Sequence, residues 1–519
     1  MMTDPASEEV QSLNRRMAHG AAWMIGLRVA DRCIGFASTI VLARLLVPAD
    51  FGLIALAIVV VAAIDVLGEF GFDLVLIQNQ RAERSHYDTA WTLGLLRGLI
   101  STALIALAAT PIADLYGDPR LADIVLVLAL LPLLESSHNI GVVEFRKQLT
   151  FNKEFKFRIF PRLSSSVVTI VLAFLWRDCW ALVIGTLVGT ALRLILSYVM
   201  QPYRPRLTLA AWREIMKFSK WILATSVVGF INNKADTFAV GKFLDMATLG
   251  VFSLSLQIAR LTTSELMAPI VRALFPGYAK LSHDPALLKK AFVDTYAILV
   301  LITLPVACGI GVTAELFVPL LLGSKWLGAV PLIELLVIFE ALRVIGGHVR
   351  PVYLAMNQPR LGTYISLVQT VLFLPLLFLG LWQLGVVGAA LARAVSQTVL
   401  AMVNLWIVRR LLELRLRELV RVSWRCFGSC FTMVAAVETL KRFPPFEVSG
   451  PYEQSTFLLL AMVLGCLIYC GSVLLFWVVS GRSSRSAEAH VLSYLASAYR
   501  RLRARTGRSM ALGSSGGER

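Results

Sequence analysis

Apolar residues run along this chain in stretches long enough to cross a membrane, about 20 residues each, broken by short polar turns. The pattern predicts fourteen helices at roughly 18–46, 51–78, 88–113, 120–143, 157–176, 179–200, 217–241, 247–273, 289–317, 328–355, 360–383, 385–408, 421–440 and 454–480. Val47-Pro48-Ala49-Asp50, Tyr116-Gly117-Asp118-Pro119 and Gly323-Ser324-Lys325 mark turns, because Pro and Gly interrupt helical backbone there. Links this short make consecutive helices antiparallel, so the building block is a helical hairpin. The runs are continuous and do not alternate, which excludes a transmembrane barrel. The expected fold is an all-α integral membrane protein with about fourteen spans.

Composition agrees. Of the 519 residues, 57% are hydrophobic and 16% charged, and the mean hydropathy is +0.71. A soluble chain carries about 25% charged residues. The loops leave no room for a soluble catalytic domain. The net charge of +17 would point to nucleic acid in a soluble protein. Here it is the Lys and Arg of cytoplasmic loops, and no nucleic-acid partner is expected. With the N-terminus inside, about 34 basic residues fall in inside segments and about six in outside turns. Both termini are therefore expected on the cytoplasmic side. The seven Cys imply no disulfide framework. Cys426/Cys430 and Cys466/Cys470, spaced four apart on helices, read as packing residues ahead of metal ligands.

Charged groups within the spans face a bundle interior or a wet cavity by default. Arg28, Asp31 and Arg32 share one face of the first span and leave a surplus positive charge. That face is an anion-binding wall, or else the arginines snorkel or pair with Asp31. Asp65, Glu69 and Asp73 form a stripe on the second span. These carboxylates pair with the first span, or one of them titrates as a coupling-ion site. The seventh span carries Asn232, Asn233, Lys234 and Asp236, too polar for a lipid face and suited to a wet lumen. Arg260 lies near the middle of the eighth, with Glu265 further inward, either ion-paired or touching substrate. Arg97, Arg193, Glu334, Glu340, Arg343, His348 and Arg393 read mostly as helix-end or interlobe contacts.

The chain also repeats itself. Ala43–Leu53 aligns with Gly241–Val251: Leu46/Leu244, Ala49/Ala247 and Gly52/Gly250 are identical, and Arg44/Lys242 keeps its charge. Both segments turn a first hairpin into a long apolar helix. The expected organisation is a cytoplasmic segment 1–17, one lobe of six helices at 18–200, a linker at 201–216, a second lobe of six at 217–408, helices thirteen and fourteen within 409–480, and a basic cytoplasmic tail at 481–519. Internal repeats with substrate at their interface are a recurrent transporter plan. Within the tail, 488–505 has an apolar stripe opposite arginines and suits a helix lying on anionic lipid. Residues 506–519, rich in Gly and Ser, read as disordered. No His/Cys ligand spacing, phosphate-cradling Gly-rich loop or nucleophile elbow is present, so neither cofactor nor metal is expected.

Three passages resemble a known family. Thr39–Leu53 looks like its first-hairpin turn, and Asp236–Lys242 with Leu249–Ser253 like the second-lobe counterpart. Phe145–Phe151 with Trp180–Val183 resembles the lipopolysaccharide, exopolysaccharide and teichuronic-acid exporter branch. The family is the polysaccharide transporters, or oligosaccharide-lipid flippases, of the multidrug/oligosaccharidyl-lipid/polysaccharide exporter superfamily. The resemblance covers about 20–480. It implies twelve core helices in two lobes around a central cavity, with two added C-terminal helices. It implies alternating access in a bacterial inner membrane, with an undecaprenyl-pyrophosphate-linked oligosaccharide as cargo and membrane lipids, a polysaccharide polymerase and chain-length machinery as partners. Arg28, Arg32 and Arg260 would then meet the pyrophosphate. Alternatives are a cation-coupled drug antiporter, for which the first span leans too basic, and a membrane glycan polymerase or ligase, for which the outside loops are short. A non-transporting scaffold would not explain the buried charges.

Overall fold

The computed structural model describes residues 5–68, 71–72, 76, 82–148, 150–262, 274, 276–446 and 450–481. Among them there is no strand, and each of the fourteen expected spans overlaps helix in its described part; 51–78 and 247–273 also include residues outside the described ones. The helices are α1 (Pro5–Leu45), α2 (Pro48–Asp65), α3 (Arg84–Tyr116), α4 (Arg120–Leu128), α5 (Leu130–Ser136), α6 (Glu144–Lys147), α7 (Phe151–Trp176), α8 (Trp180–Met200), α9 (Trp212–Phe243), α10 (Met246–Thr262), α11 (Pro285–Phe317), α12 (Val330–Gly347), α13 (Arg350–Ala355), α14 (Pro359–Leu411), α15 (Leu416–Arg442) and α16 (Pro451–Val479). The expected fourth span is α4 followed by α5, the tenth is α12 followed by α13, and the eleventh and twelfth are the two arms of α14.

The turns sit where their residues demand. Pro48 starts α2 at a position whose N–H would go unused, and the Asp50 carboxylate accepts from the Val47 N–H at 3.2 Å. Gly117 ends α3 with φ 71°. Just beyond it, Arg120 donates to Asp118 at 2.8 Å and holds that carboxyl below its usual range. Inside α14, Gly385 adopts φ 57°, which splits the helix into its two arms.

Among the described residues, seven helices are long and apolar enough to cross a membrane, with Pro48–Gly68, Arg84–Tyr116, Pro285–Leu322 and Pro451–Val479 among them. Large apolar side chains such as Leu107, Val371, Phe431 and Leu467 are exposed on helix surfaces. In water this would be a severe aggregation hazard; in lipid it is the required surface.

The chain divides into two compact units. The first comprises Met1–Ile258, Phe317–Leu332 and Thr363–Ser396. In it α7 packs along α8, with Ser165 Oγ donating to the Gly185 carbonyl at 2.7 Å, and Leu42, Leu46, Ala173 and Ala181 form a core cluster. The second comprises Ala259–Leu316, Ile333–Gly362 and Gln397–Arg519. Its core includes Val300, Leu304, Met433, Tyr469 and Val473, and Cys426 and Cys430 pack there as small apolar residues. Tyr469 donates its hydroxyl to the Leu301 carbonyl at 2.7 Å.

The linker after α8 is strapped down. Asp88, buried near the start of α3, accepts from the Tyr203 hydroxyl at 2.5 Å and the Arg206 N–H at 2.9 Å. Asn139, fully buried, donates to the Tyr203 carbonyl at 2.6 Å and accepts from the Gly141 N–H at 3.0 Å. Thr92 and Thr89 take the N–H groups of Thr208 and Ala211 at 3.0 and 3.2 Å. A non-helical segment has unpaired backbone groups, and these side chains satisfy them.

Candidate functional site

Helices α1, α9 and α12 are not among the seven apolar ones, because charged and amide side chains interrupt them. On α1, Asp31 pairs with Arg162 of α7 at 3.4 Å, so a third guanidinium joins the face that carries Arg28 and Arg32. Arg28 is half-buried and its Nη1 has no hydrogen-bond partner among the described residues. Arg32 is exposed.

Asp65 pairs with Arg97 of α3 at 3.7 Å. The expectation that it pairs with the first span is corrected: α3 returns antiparallel against α2 and brings its own cation to that level. Glu69, Asp73, Glu265 and the 488–505 segment lie outside the described residues.

The polar cluster on α9 is built into the protein. Asn232 donates to the Ser366 carbonyl at 3.3 Å and accepts from the Thr370 hydroxyl at 3.0 Å, both on α14. Asn233, exposed, donates to the Gly229 carbonyl one turn back at 2.7 Å. Lys234 is half-buried. Asp236 is fully buried and meets Arg393 from the second arm of α14, which is 5% exposed. Arg393 Nε donates to Asp236 Oδ2 at 2.8 Å, and its Nη2 reaches the same oxygen. The other oxygen accepts from the Thr237 N–H at 2.9 Å, and the guanidinium lies over the Phe373 ring, 5.4 Å from its centre. Two charges removed from water must be paired and hydrogen-bonded to persist, and here they are. Arg393 is thus no helix-end contact.

In the second unit, Arg260 of α10 pairs with Glu340 of α12 at 3.3 Å, and Arg343, one turn along α12, pairs with the same carboxylate at 2.7 Å. Glu340 is fully buried, while Arg260 and Arg343 keep 26% and 35% of their side chains exposed. Glu340 and Arg343 lie within two turns of the end of α12 at Gly347, and Glu340 also reaches across to α10.

Four residues of this picture escaped the sequence reading in their roles: Arg162, Arg393, Glu340 and Arg343. A signal existed. Each is a charged residue in or near an apolar run that contains no partner at i±3 or i±4, apart from the Glu340–Arg343 pair. Each therefore had to be matched across helices.

A helical protein with an apolar exterior and charges held in pairs between its helices is a multi-pass membrane protein. The chain belongs to the family described as polysaccharide biosynthesis proteins, whose pattern matches residues 41–331. It is similar to the lipopolysaccharide biosynthesis protein WzxC of Escherichia coli (strain K12), 25% identical over 421 residues, 80% of this chain and 86% of that one. It is similar to the succinoglycan biosynthesis transport protein ExoT of Rhizobium meliloti (strain 1021), 22% identical over 330 residues, 63% and 67% of the two chains. In fold it resembles the lipid II flippase MurJ in an inward closed conformation, with TM-score 0.71 at 14% identity, covering 87% of this chain and 99% of that one.

Proposed function

We propose that this protein is a flippase that moves an undecaprenyl-diphosphate-linked oligosaccharide repeat unit across the bacterial inner membrane for surface polysaccharide assembly. Both termini face the cytoplasm, and the lobes 18–200 and 217–408, joined by the linker 201–216, give alternating access. Helices 409–480 are additions to that core, and a polymerase and chain-length machinery receive the product. Family membership and the relatives' names support the class. The observation that supports the substrate is the set of guanidiniums these helices carry: Arg28, Arg32 and Arg162 beside Asp31, and Arg260 and Arg343 on Glu340. A diphosphate needs such donors, Arg above all for its planar fork. A cationic drug would need the opposite sign. A sugar headgroup suits the exposed amide of Asn233, while the polyprenyl tail stays in lipid.

The experiment is complementation of a strain deleted for the gene. Arg32→Ala is expected to insert normally yet accumulate lipid-linked repeat units in the inner leaflet and lower export about 10- to 150-fold, the effect of losing one charge-assisted contact to a buried anion. Arg32→Lys is expected to rescue only in part. Normal export by an Arg28→Ala/Arg32→Ala double variant would sink the reading. A reporter active only outside the cytoplasm checks the orientation: it is expected to be active when fused at residue 446 and silent at 152.

A further inference from the structure

The second arm of α14 ends in a pocket that the proposed transport does not use. Its volume is about 470 Å³, and Trp406, Arg409, Arg410, Glu413 and Leu414 line it. The Arg410 guanidinium lies over the Trp406 ring, 3.9 Å from its centre. That cation–π contact fixes the side chain and leaves its N–H edge to a ligand. The chain then turns at Glu413, whose φ of 48° is left-handed and uncommon for a residue with a Cβ. Lys289 of α11 pins the turn, donating to the Glu413 carbonyl at 3.1 Å and to the Glu418 carboxylate at 2.9 Å.

Basic residues at a helix C-terminus ordinarily serve the helix, by meeting its last carbonyls. Here that need is met otherwise. The Val408 carbonyl accepts from the Leu412 N–H at 2.9 Å, and the Arg409 carbonyl from the Leu414 N–H at 3.0 Å. Arg409 and Arg410 are exposed, and among the described residues neither guanidinium is paired with a carboxylate. Back along the same face, at helical spacing, stand Trp406, Met402 and Val399, which are 51%, 65% and 37% exposed. The face is therefore apolar along the span, aromatic near its end and basic at the end itself. That is the profile of a lipid with an anionic headgroup, because Trp favours the membrane interface and Arg the phosphate level. A soluble phosphate would make no use of the apolar stretch.

We propose that this pocket binds an anionic phospholipid of the phosphatidylglycerol type. Arg409 and Arg410 hold its phosphodiester, for which the guanidinium fork is suited. Met402 and Val399 lie along an acyl chain. The Glu413 carboxylate accepts from the headgroup hydroxyls, which a choline headgroup lacks. The assignment does not depend on the flippase reading.

The test uses the full chain in detergent, with phosphatidylglycerol or phosphatidylcholine added in graded amounts and bound lipid measured by native mass spectrometry. The wild type is expected to bind phosphatidylglycerol about tenfold or more tightly than phosphatidylcholine, the worth of two basic residues at a lipid headgroup. Arg409→Ala/Arg410→Ala is expected to lose that preference, and Arg409→Lys/Arg410→Lys to keep part of it, since Lys retains the charge without the fork. Trp406→Leu spares every charge and is expected to weaken binding about two- to fivefold by removing the stacked ring. Arg415→Ala/Arg417→Ala removes the same charge from exposed residues just beyond the pocket, and is expected to leave the preference in place. Equal losses in the two alanine variants would show a diffuse basic surface and overturn the site. So would a wild type without the preference, or a preference that survives Arg409→Ala/Arg410→Ala. Displacement of the lipid by millimolar glycerol phosphate would mark a site for free phosphate and overturn the assignment to lipid.

Discussion

Gly52 and Gly250 hold α2 and α10 backbone to backbone: a Cβ on Gly52 would lie 1.8 Å from the Met246 carbonyl oxygen, and a Cβ on Gly250 would lie 1.8 Å from that of Pro48. The alignment that pairs Gly52 with Gly250 also pairs Pro48 with Met246. The sequence repeat is therefore a spatial two-fold, each copy touching the other through the same atoms. The flanking cations obey it too. Arg44 donates to the Leu321 carbonyl at 2.9 Å, beyond the end of α11, and its counterpart Lys242 donates to the Leu115 carbonyl at 2.5 Å, near the end of α3. Each basic residue thus satisfies carbonyls that a helix leaves open at its C-terminal end, where positive charge is favoured.

This contact predicts that Gly52→Val and Gly250→Val each lower thermal stability in detergent. The neighbour at risk is backbone, which cannot rotate away, so the cost is expected at about 1–3 kcal/mol or more for each. A scan over both positions in which Val is tolerated as well as Gly would contradict the close approach.

The Asp236–Arg393 pair predicts a different pattern. Arg393→Met strands a buried carboxylate and is expected to cost about 3–5 kcal/mol, whereas Asp236→Asn/Arg393→Met removes both charges and regains most of the loss. Thermal melting of the purified variants checks this. A double variant no more stable than the single would mean that the pair is not the principal interaction of either residue.

The strapped linker predicts a protease phenotype. Asp88→Ala removes the acceptor for Tyr203 and the Arg206 N–H, and Asn139→Ala removes the donor to the Tyr203 carbonyl. Each loss of a buried partner is worth about 1–3 kcal/mol locally. Brief trypsin treatment is expected to cut after Arg206, the tryptic site in the strapped segment since Pro205 blocks the bond after Arg204, at least several-fold faster in either variant, with the remaining pattern unchanged. Equal cutting in wild type and variants would show that the segment is held by other means.

Much of the fold was legible because helices in lipid must satisfy their own backbone and cover themselves with apolar side chains. Both demands are local, so run length, turn residues and Lys/Arg placement placed a helix at each of the fourteen spans. The repeat was legible for the same reason: Gly52 and Gly250 stand in matched turns of the chain. The charged residues of the site were visible individually. Arg28, Asp31 and Arg32 announced a basic face by their helical spacing, and Asp236 and Arg260 stood out against apolar surroundings.

Partnership was another matter. A charge in an apolar run must find its opposite, but which opposite depends on which helices pack together and at what depth, and neither is encoded in a local pattern. Only the tertiary structure set Arg162 on Asp31, Arg97 on Asp65 and Arg393 on Asp236, and joined Arg260 with Arg343 on one carboxylate. By itself the sequence determined that this is a many-helix membrane protein with an internal repeat and cations inside the membrane. The packing of helices far apart in the chain decided which acid each of these cations meets, because Coulombic pairing in a low-dielectric interior is a matter of a few ångströms.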